Sequence, residues 1–407
     1  MVASILQMML EFAALGIILL TAVLAMQVGA ATFLRDPPLS ASSHRPSLAV
    51  LIPAHNEQQG LEATLLRVKE ELSSIDRLVV VADNCIDRTA ELATRAGAEV
   101  VIRNDPDRRG KGYALAAGLH HLAALPPEVV IFIDADCQIS SQGAELLARA
   151  CAAASAPVQC LNLMIASPES RAPPRLPEFA WRIKNDLRPS GYARLGLPCH
   201  LLGTGMALPW GLIKPELFAT GHLAEDMLLG LTLAIRGFPP RLFRGARVTS
   251  HFPDTDRGRD QQKQRWLHGH FGLITSYAPR LLYWGLRRRS LGLLALAADL
   301  AVPPLAVLAA VNLMLLAMSL VCMAVTGAIA PFGLAALGSA LLVSSLLAAW
   351  SVCGRDLIGR KEIVTQLPAH IIMVMRSALN LARGRKTPWV RADRSQTTTE
   401  FKGRTRS

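Results

Sequence analysis

Two stretches of this chain carry no charged residue at all, Phe12 to Leu34 and Ala301 to Gly354. Nothing else constrains its fold as strongly. About 20 consecutive apolar residues cross a bilayer as a helix, and in lipid the helix satisfies its own backbone polar groups. The first stretch is long enough for one crossing. Within the second, Gly327 to Gly333 contains Pro331 and reads as a turn, so two helices are expected, over 301–326 and 333–353. Pro303 and Pro304 are placed to break the first of them. Basic residues flank each run: Arg35 and Arg45 after the first, Arg287, Arg288 and Arg289 before the pair, Arg355, Arg360 and Lys361 after it. The positive-inside tendency then puts the N-terminus outside and the middle of the chain in the cytoplasm, as a multi-pass protein of the inner (plasma) membrane. A secretory signal peptide starts with a basic segment, and no basic residue precedes Arg35.

Hydrophobic residues make up 51% of the chain and charged residues 18%, which excludes a disordered protein. The net charge of +12 gathers beside the apolar runs, and aromatics are only 5%, so the expected charged partner is a lipid bilayer and not a nucleic acid. The seven cysteines form no CxxC pair, so neither a zinc site nor a redox motif is expected, and free thiols fit a reducing compartment. His268 to Arg289 and Ile363 to Leu381 mix apolar and basic residues as interfacial helices do. Each is also compatible with an amphipathic helix on the soluble part, and the second with a re-entrant segment or a further span. The organisation expected is an N-terminal membrane helix over 1–34, a soluble domain over 46–270, an interfacial helix over 271–290, two membrane helices over 291–353 and a basic cytoplasmic tail with an amphipathic segment over 354–407.

The soluble stretch alternates short apolar runs with helical spacing. The runs are Leu48–Pro53, Leu78–Ala82, Glu99–Ile102 and Val129–Ile133; helices are expected over 58–72, 87–96 and 111–123. Such alternation implies an α/β fold with a mostly parallel sheet covered on both faces. Ligands then bind beyond the carboxyl ends of the strands. His55-Asn56-Glu57, Asp83-Asn84 and Asp134-Ala135-Asp136 occupy those positions. Two carboxylates one residue apart on a strand end need a counter-charge. Hard oxygen ligands of this kind select Mg²⁺ or Mn²⁺, held jointly with substrate phosphates.

The ordered set Pro53-Ala54-His55-Asn56-Glu57, Asp83-Asn84, Arg109-Gly110-Lys111-Gly112, Asp134-Ala135-Asp136, Gly203-Thr204-Gly205, Glu225-Asp226 and Gln262-Lys263-Gln264-Arg265-Trp266 resembles glycosyltransferase family 2, the inverting enzymes of the GT-A fold. The ED pair and QxxRW resemble its membrane-embedded polysaccharide synthase branch. The resemblance implies a donor site of Pro53, Glu57, Asp83, Lys111, Asp134, Asp136 and Arg265, with Asp83 toward the base and Arg265 on the diphosphate. It implies Asp134 and Asp136 as metal ligands, the second more directly, and Asp226 as the base that deprotonates the acceptor hydroxyl. It places Gly203, Thr204, Gly205, Glu225, Gln262 and Trp266 on the acceptor side, with the Trp266 indole beneath a sugar. Read without it, Glu225-Asp226 could simply open a helix and the glycines could simply serve a turn.

The expected activity is therefore transfer of a sugar from a nucleotide-sugar, a UDP-sugar by family habit, to a growing glycan of the cell envelope or exterior. The alternative is a single addition to a polyprenyl-linked or glycolipid acceptor. QxxRW favours the first, the low helix count the second. A non-catalytic partner in envelope-glycan assembly would have lost its carboxylates, and all are present.

Overall fold

A computed structural model describes residues 2–36, 42–167, 174–253 and 255–382. The chain opens with α1 (Val2–Phe33), a single uninterrupted helix. The α/β part follows: β1 (Leu48–Ala54), α2 (Leu61–Lys69), β2 (Arg77–Asp83), α3 (Thr89–Arg95), β3 (Glu99–Arg103), α4 (Lys111–Leu122) and β4 (Val129–Phe132). Next come β5 (Gln138–Ile139), α5 (Gly143–Ala154), β6 (Val158–Ile165), α6 (Arg175–Arg182), a π-helical turn at Ile183–Leu187, α7 (Arg188–Arg194), β7 (Met206–Pro209), α8 (Glu225–Ile235) and β8 (Arg241–His251). The C-terminal helices are α9 (Asp256–Arg287), α10 (Leu291–Ala301), α11 (Leu305–Thr326), α12 (Ile329–Cys353) and α13 (Arg360–Ala382).

The strands form one sheet in the order β3-β2-β1-β4-β7-β6-β8-β5. Its first four strands are mutually parallel, and β6 runs parallel to β8; β7 and β5 pair antiparallel to their neighbours. The sheet is thus mixed and mostly parallel, as the apolar runs predict. Leu48 to Ile52 and Val129 to Ile133 are fully buried because both faces are covered. Val50, Ile52 and Val80 pack toward α2, α3 and α5, while Leu51, Val79 and Val81 pack toward α4.

Among the described residues, three helices are long and apolar enough to cross a membrane: Ala3–Phe33, Leu305–Thr326 and Ile329–Cys353. The boundaries differ from the sequence expectation in two places. The helix expected from residue 301 begins at Leu305, because Pro303 and Pro304 separate it from α10. The helix expected from 333 begins at Ile329 and takes Pro331 into its first turn, where a missing N–H costs no intrahelical bond. The segment 268–289 is not a separate element but the second half of the 32-residue α9, so the QxxRW residues and the aromatic-basic stretch belong to one rod. The segment 363–381 lies within α13; the tail from residue 383 falls outside the described residues.

Helices α1, α11 and α12 share a core with the α/β part. Leu24 and Val28 of α1, Leu308 and Leu315 of α11 and Leu342 of α12 join Leu176, Phe179, Ile183 and Leu187. A buried polar cluster ties the same layers: Arg188 donates to Gln27 Oε1 at 2.9 Å and to Asp299 Oδ1 at 2.6 Å, and Gln27 donates to Asp299 Oδ1 at 2.6 Å. A buried charge in this setting has to be paired, and Arg188 is.

Candidate active site

The strand ends place the polar residues on one rim. At β1, Asn56 takes a left-handed backbone (φ 55°), and at β2 Asn84 does the same (φ 50°); Asn tolerates this conformation through its short polar side chain. Asn56 Oδ1 accepts from Ile86 N at 2.8 Å, and Asn84 Oδ1 accepts from Asp105 N at 2.8 Å. These bonds fold the post-strand loops back and leave His55, Glu57 and Asp83 at the rim. Asp83 is buried and its carboxylate accepts from Arg103 Nη1 at 2.6 Å. Arg103, at the end of β3, also lies over the Tyr113 ring, 5.5 Å from its centroid.

A cavity of about 170 Å³ opens there, lined by Pro53, Glu57, Asp83, Lys111, Asp134, Asp136 and Arg265, with Gln262 at its edge. All seven residues that the resemblance implies for the donor are therefore in one wall. A second cavity of about 210 Å³ adjoins it, lined among others by Gly203, Glu225, Asp226, Trp181 and Trp266. Gly110, Lys111, Asp134 and Arg265 face both cavities. Asp136 thus borders the first cavity, Asp226 the second, and Asp134 both.

Lys111 is the hub between the two. Its Nζ lies 2.5 Å from Asp134 Oδ1 and donates to the Gly203 carbonyl at 2.7 Å. Burial opposes its charge, yet Asp134, Glu225 and Asp226 outweigh that and hold its amine above the usual lysine value. Burial, together with Asp136, pushes Asp134 above the usual carboxylate range against the pull of Lys111. Burial, with Asp226 beside it, raises Glu225 to about 7. Glu225 and Asp226 also open α8, so they meet its positive end as well as the cavity.

Gly203 and Gly205 have positive φ, 81° and 63°. A side chain at Gly203 would come within 2.9 Å of Asp226 Oδ2, and one at Gly205 within 2.3 Å of Cys160 Sγ. Gly203 faces the second cavity, but Thr204 and Gly205, expected on the acceptor side, sit behind its wall. Thr204 Oγ1 accepts from Asp134 N at 3.1 Å, and Gly205 N donates to Phe132 O at 2.8 Å. Their place is structural, bracing the strand that carries Asp134. Gln262, also expected there, lines the first cavity and a third, apolar one, but not the second.

Two contributors, Arg103 and Gln159, escaped the sequence reading. Arg103 ends an apolar run as Asp83 and Asp134 do, and that position was its signal. Gln159, fully buried on β6, donates to Thr204 O at 2.9 Å and accepts from Leu202 N at 2.8 Å, holding the Gly203 loop. Trp181 stacks obliquely on Trp266 with centroids 4.7 Å apart, and its Nε1 donates to Asn162 O at 3.0 Å. Neither Gln159 nor Trp181 carries a spacing cue.

The donor set at the DxD suits a hard divalent cation. Ligand atoms of Asp134, Asp136 and Cys137 lie within 4.8 Å of one another. Burial raises the Cys137 thiol well above its ordinary value, so it stays protonated and donates weakly to Asp136 Oδ1 at 3.5 Å. That leaves carboxylate oxygens as the ligands, the set Mg²⁺ and Mn²⁺ favour.

A rim of carboxylates thus borders two adjoining cavities at the edge of a mostly parallel sheet. The family model "Glycosyl transferase family 2" matches residues 49–208, and "Glycosyl transferase family group 2" matches residues 129–349, more than half of the chain. The chain belongs to this glycosyltransferase family. The low-salt glycan biosynthesis hexosyltransferase Agl6 of Haloferax volcanii is 37% identical over 102 residues, 24% of this chain and 23% of that protein. The 4,4'-diaponeurosporenoate glycosyltransferase of Staphylococcus haemolyticus is 31% identical over 102 residues, 24% of this chain and 26% of that protein. The matched stretches span between 23% and 37% of the length of these and another curated relative. In fold, the chain is similar to the mannosyltransferase PcManGT of Pyrobaculum calidifontis, solved in complex with GDP-Man and Mn²⁺: TM-score 0.55, 15% identity, 93% of this chain and 100% of that one.

Proposed function

We propose that this family 2 enzyme is a membrane-bound inverting hexosyltransferase, its α/β part in the cytoplasm. It moves a sugar from a nucleotide-sugar to a growing glycan of the cell envelope or exterior. One observation carries the reading: Asp136, Asp134 and Asp226 border two cavities that share Lys111 and Arg265. On this reading the donor occupies the first cavity, with its base toward Asp83 and its diphosphate between Arg265 and the DxD carboxylates. A guanidinium fork matches phosphate oxygens in geometry and charge. Asp136 and Asp134 would hold Mg²⁺ or Mn²⁺, which supplies positive charge to the departing diphosphate. The acceptor lies over Trp266 and Trp181, an apolar face suited to a sugar's C–H face. Asp226 takes the proton of the acceptor hydroxyl. The new C–O bond forms at the anomeric carbon as the bond to the phosphate oxygen breaks, the electron pair leaving with the nucleoside diphosphate, and the centre inverts.

Membrane residence rests on the three apolar helices, and the inside orientation on the flanking arginines. The test is transfer by the purified full chain from a panel of UDP- and GDP-sugars, with Mg²⁺ or Mn²⁺ supplied. Hydrolysis or transfer that survives intact in Asp226→Asn rejects the base assignment.

A single addition to a polyprenyl-linked or glycolipid acceptor is the second reading. It is favoured by a third, apolar cavity that continues from the acceptor side to the start of α11. Product length distinguishes the two: one added sugar against a ladder.

A further inference from the structure

The third cavity, about 490 Å³, is larger than the two described above. Its inner end is walled by Trp181, Lys184, Trp266 and His270, which also face the cavity that holds Asp226. Its outer end reaches Val302, Pro304, Leu305 and Ala306, where α11, one of the three span-length apolar helices, begins. Phe252 and Leu267 extend the apolar lining between these ends. A molecule in it could therefore run from the base to the edge of the bilayer.

The wall is not only apolar. Among the described residues it carries the basic side chains Lys184, Arg188, Arg259 and Lys263 and the acid Asp260. Arg188 is neutralised by Asp299. Lys263 is different: its Nζ is buried and, among the described residues, makes no hydrogen bond. Burial lowers its amine to about 8, so it is still mostly charged at neutral pH. Lys184 lines both the second and the third cavity, and burial lowers its amine too, against the pull of Asp226. Its contact in the wall is the Trp181 ring, 5.6 Å from Nζ. A buried ammonium that makes no hydrogen bond is costly; the nearby Asp260 charge offsets only part of the burial of Lys263, and an anionic ligand would supply the rest. A neutral glycan offers none. An apolar chain ending in phosphate satisfies both the lining and the lysines.

We propose that this cavity seats the lipid phosphate of the acceptor, with Lys263 and Lys184 on the phosphate and the hydrocarbon chain leaving toward the start of α11. The inference rests on the lipid-linked reading above. It makes Lys263 and Lys184 specificity-determining residues for a phospholipid-type acceptor.

The test measures equilibrium binding of farnesyl phosphate, farnesol, inorganic phosphate and a neutral oligosaccharide to the full chain in nanodiscs of neutral lipid. Farnesyl phosphate is expected to bind at least about tenfold more tightly than the other three. Lys263→Ala and Lys184→Ala should each weaken it about tenfold or more, the cost of one charge-assisted hydrogen bond, and Lys263→Arg should retain it. Ala180→Leu narrows the same cavity without removing a charge and should also weaken it. Equal binding of farnesol, inorganic phosphate or the oligosaccharide overturns the proposal, as does unchanged affinity in the variants. UDP and GDP binding to the same samples separates the two levels of the argument. Nucleotide binding without farnesyl phosphate binding sinks the cavity assignment alone; absence of nucleotide binding by the unmodified chain sinks the transferase reading.

Discussion

Replacing Lys111 with methionine tests the electrostatics of the whole site. Lys111 Nζ is 2.5 Å from Asp134 Oδ1 and 2.7 Å from the Gly203 carbonyl. Methionine keeps the length and apolar stem of the side chain and removes its charge. Breaking a buried ion pair by deleting one partner costs about 3–5 kcal/mol. Here the two side chains keep 24% and 34% of their surface exposed, so solvent screens part of the loss. About 2–3 kcal/mol is therefore expected, or roughly 5–10 °C in Tm for a domain of this size. The assay is thermal unfolding of the metal-free protein in detergent, repeated with Mn²⁺. In the variant Asp134, Asp136, Glu225 and Asp226 lose the cation among them, so Mn²⁺ should raise Tm more than it does in the unmodified chain. An unchanged metal-free Tm, or a weaker response to Mn²⁺, would refute the idea that these carboxylates share one counter-charge.

Asp226→Asn should lower transfer by about 10²–10⁴-fold, the usual worth of a general base, while nucleotide binding stays; a loss smaller than tenfold removes Asp226 from the mechanism. Gly205→Ala places a Cβ 2.3 Å from Cys160 Sγ on a left-handed backbone, so denaturant titration should show a loss of about 1–3 kcal/mol. Glu225 has a folded pKa of about 7 against 4.5 ordinarily, through burial first and Asp226 second. The folded state therefore retains a proton that the unfolded chain has released between those values. Its stabilising contribution is full below about 4.5 and is lost as pH rises through about 7. Glu225→Gln should flatten that decline in a pH series of Tm values, and an identical slope would contradict it. Trp266→Ala should raise the acceptor KM more than the donor KM, which steady-state kinetics with each substrate varied in turn would reveal.

Much of this arrangement was legible because it is local. The apolar runs of β1, β2 and β4 announce buried strands, and the polar residues at their ends then fall on one rim by topology alone. The uncharged stretches announce membrane-length helices by the same logic of burial. Pro303 and Pro304 mark the end of α10 because a proline pair removes backbone donors. Long-range contacts decided the rest. Only the folded chain turns Lys111 toward Asp134 and toward Gly203, the latter 92 positions away in sequence. Only it sets Thr204 and Gly205 behind the wall, as braces for Asp134 and Phe132, and places Gln262 between the first and third cavities. Trp181 meets Trp266, and Lys184 and Lys263 meet in one cavity, because α6, the π-helical turn and α9 converge there. Periodicity and strand-end position are written along the chain, since they follow from backbone geometry and water. Which side chains oppose one another across a cavity is set by the packing of elements distant in sequence, and no spacing along the chain encodes it.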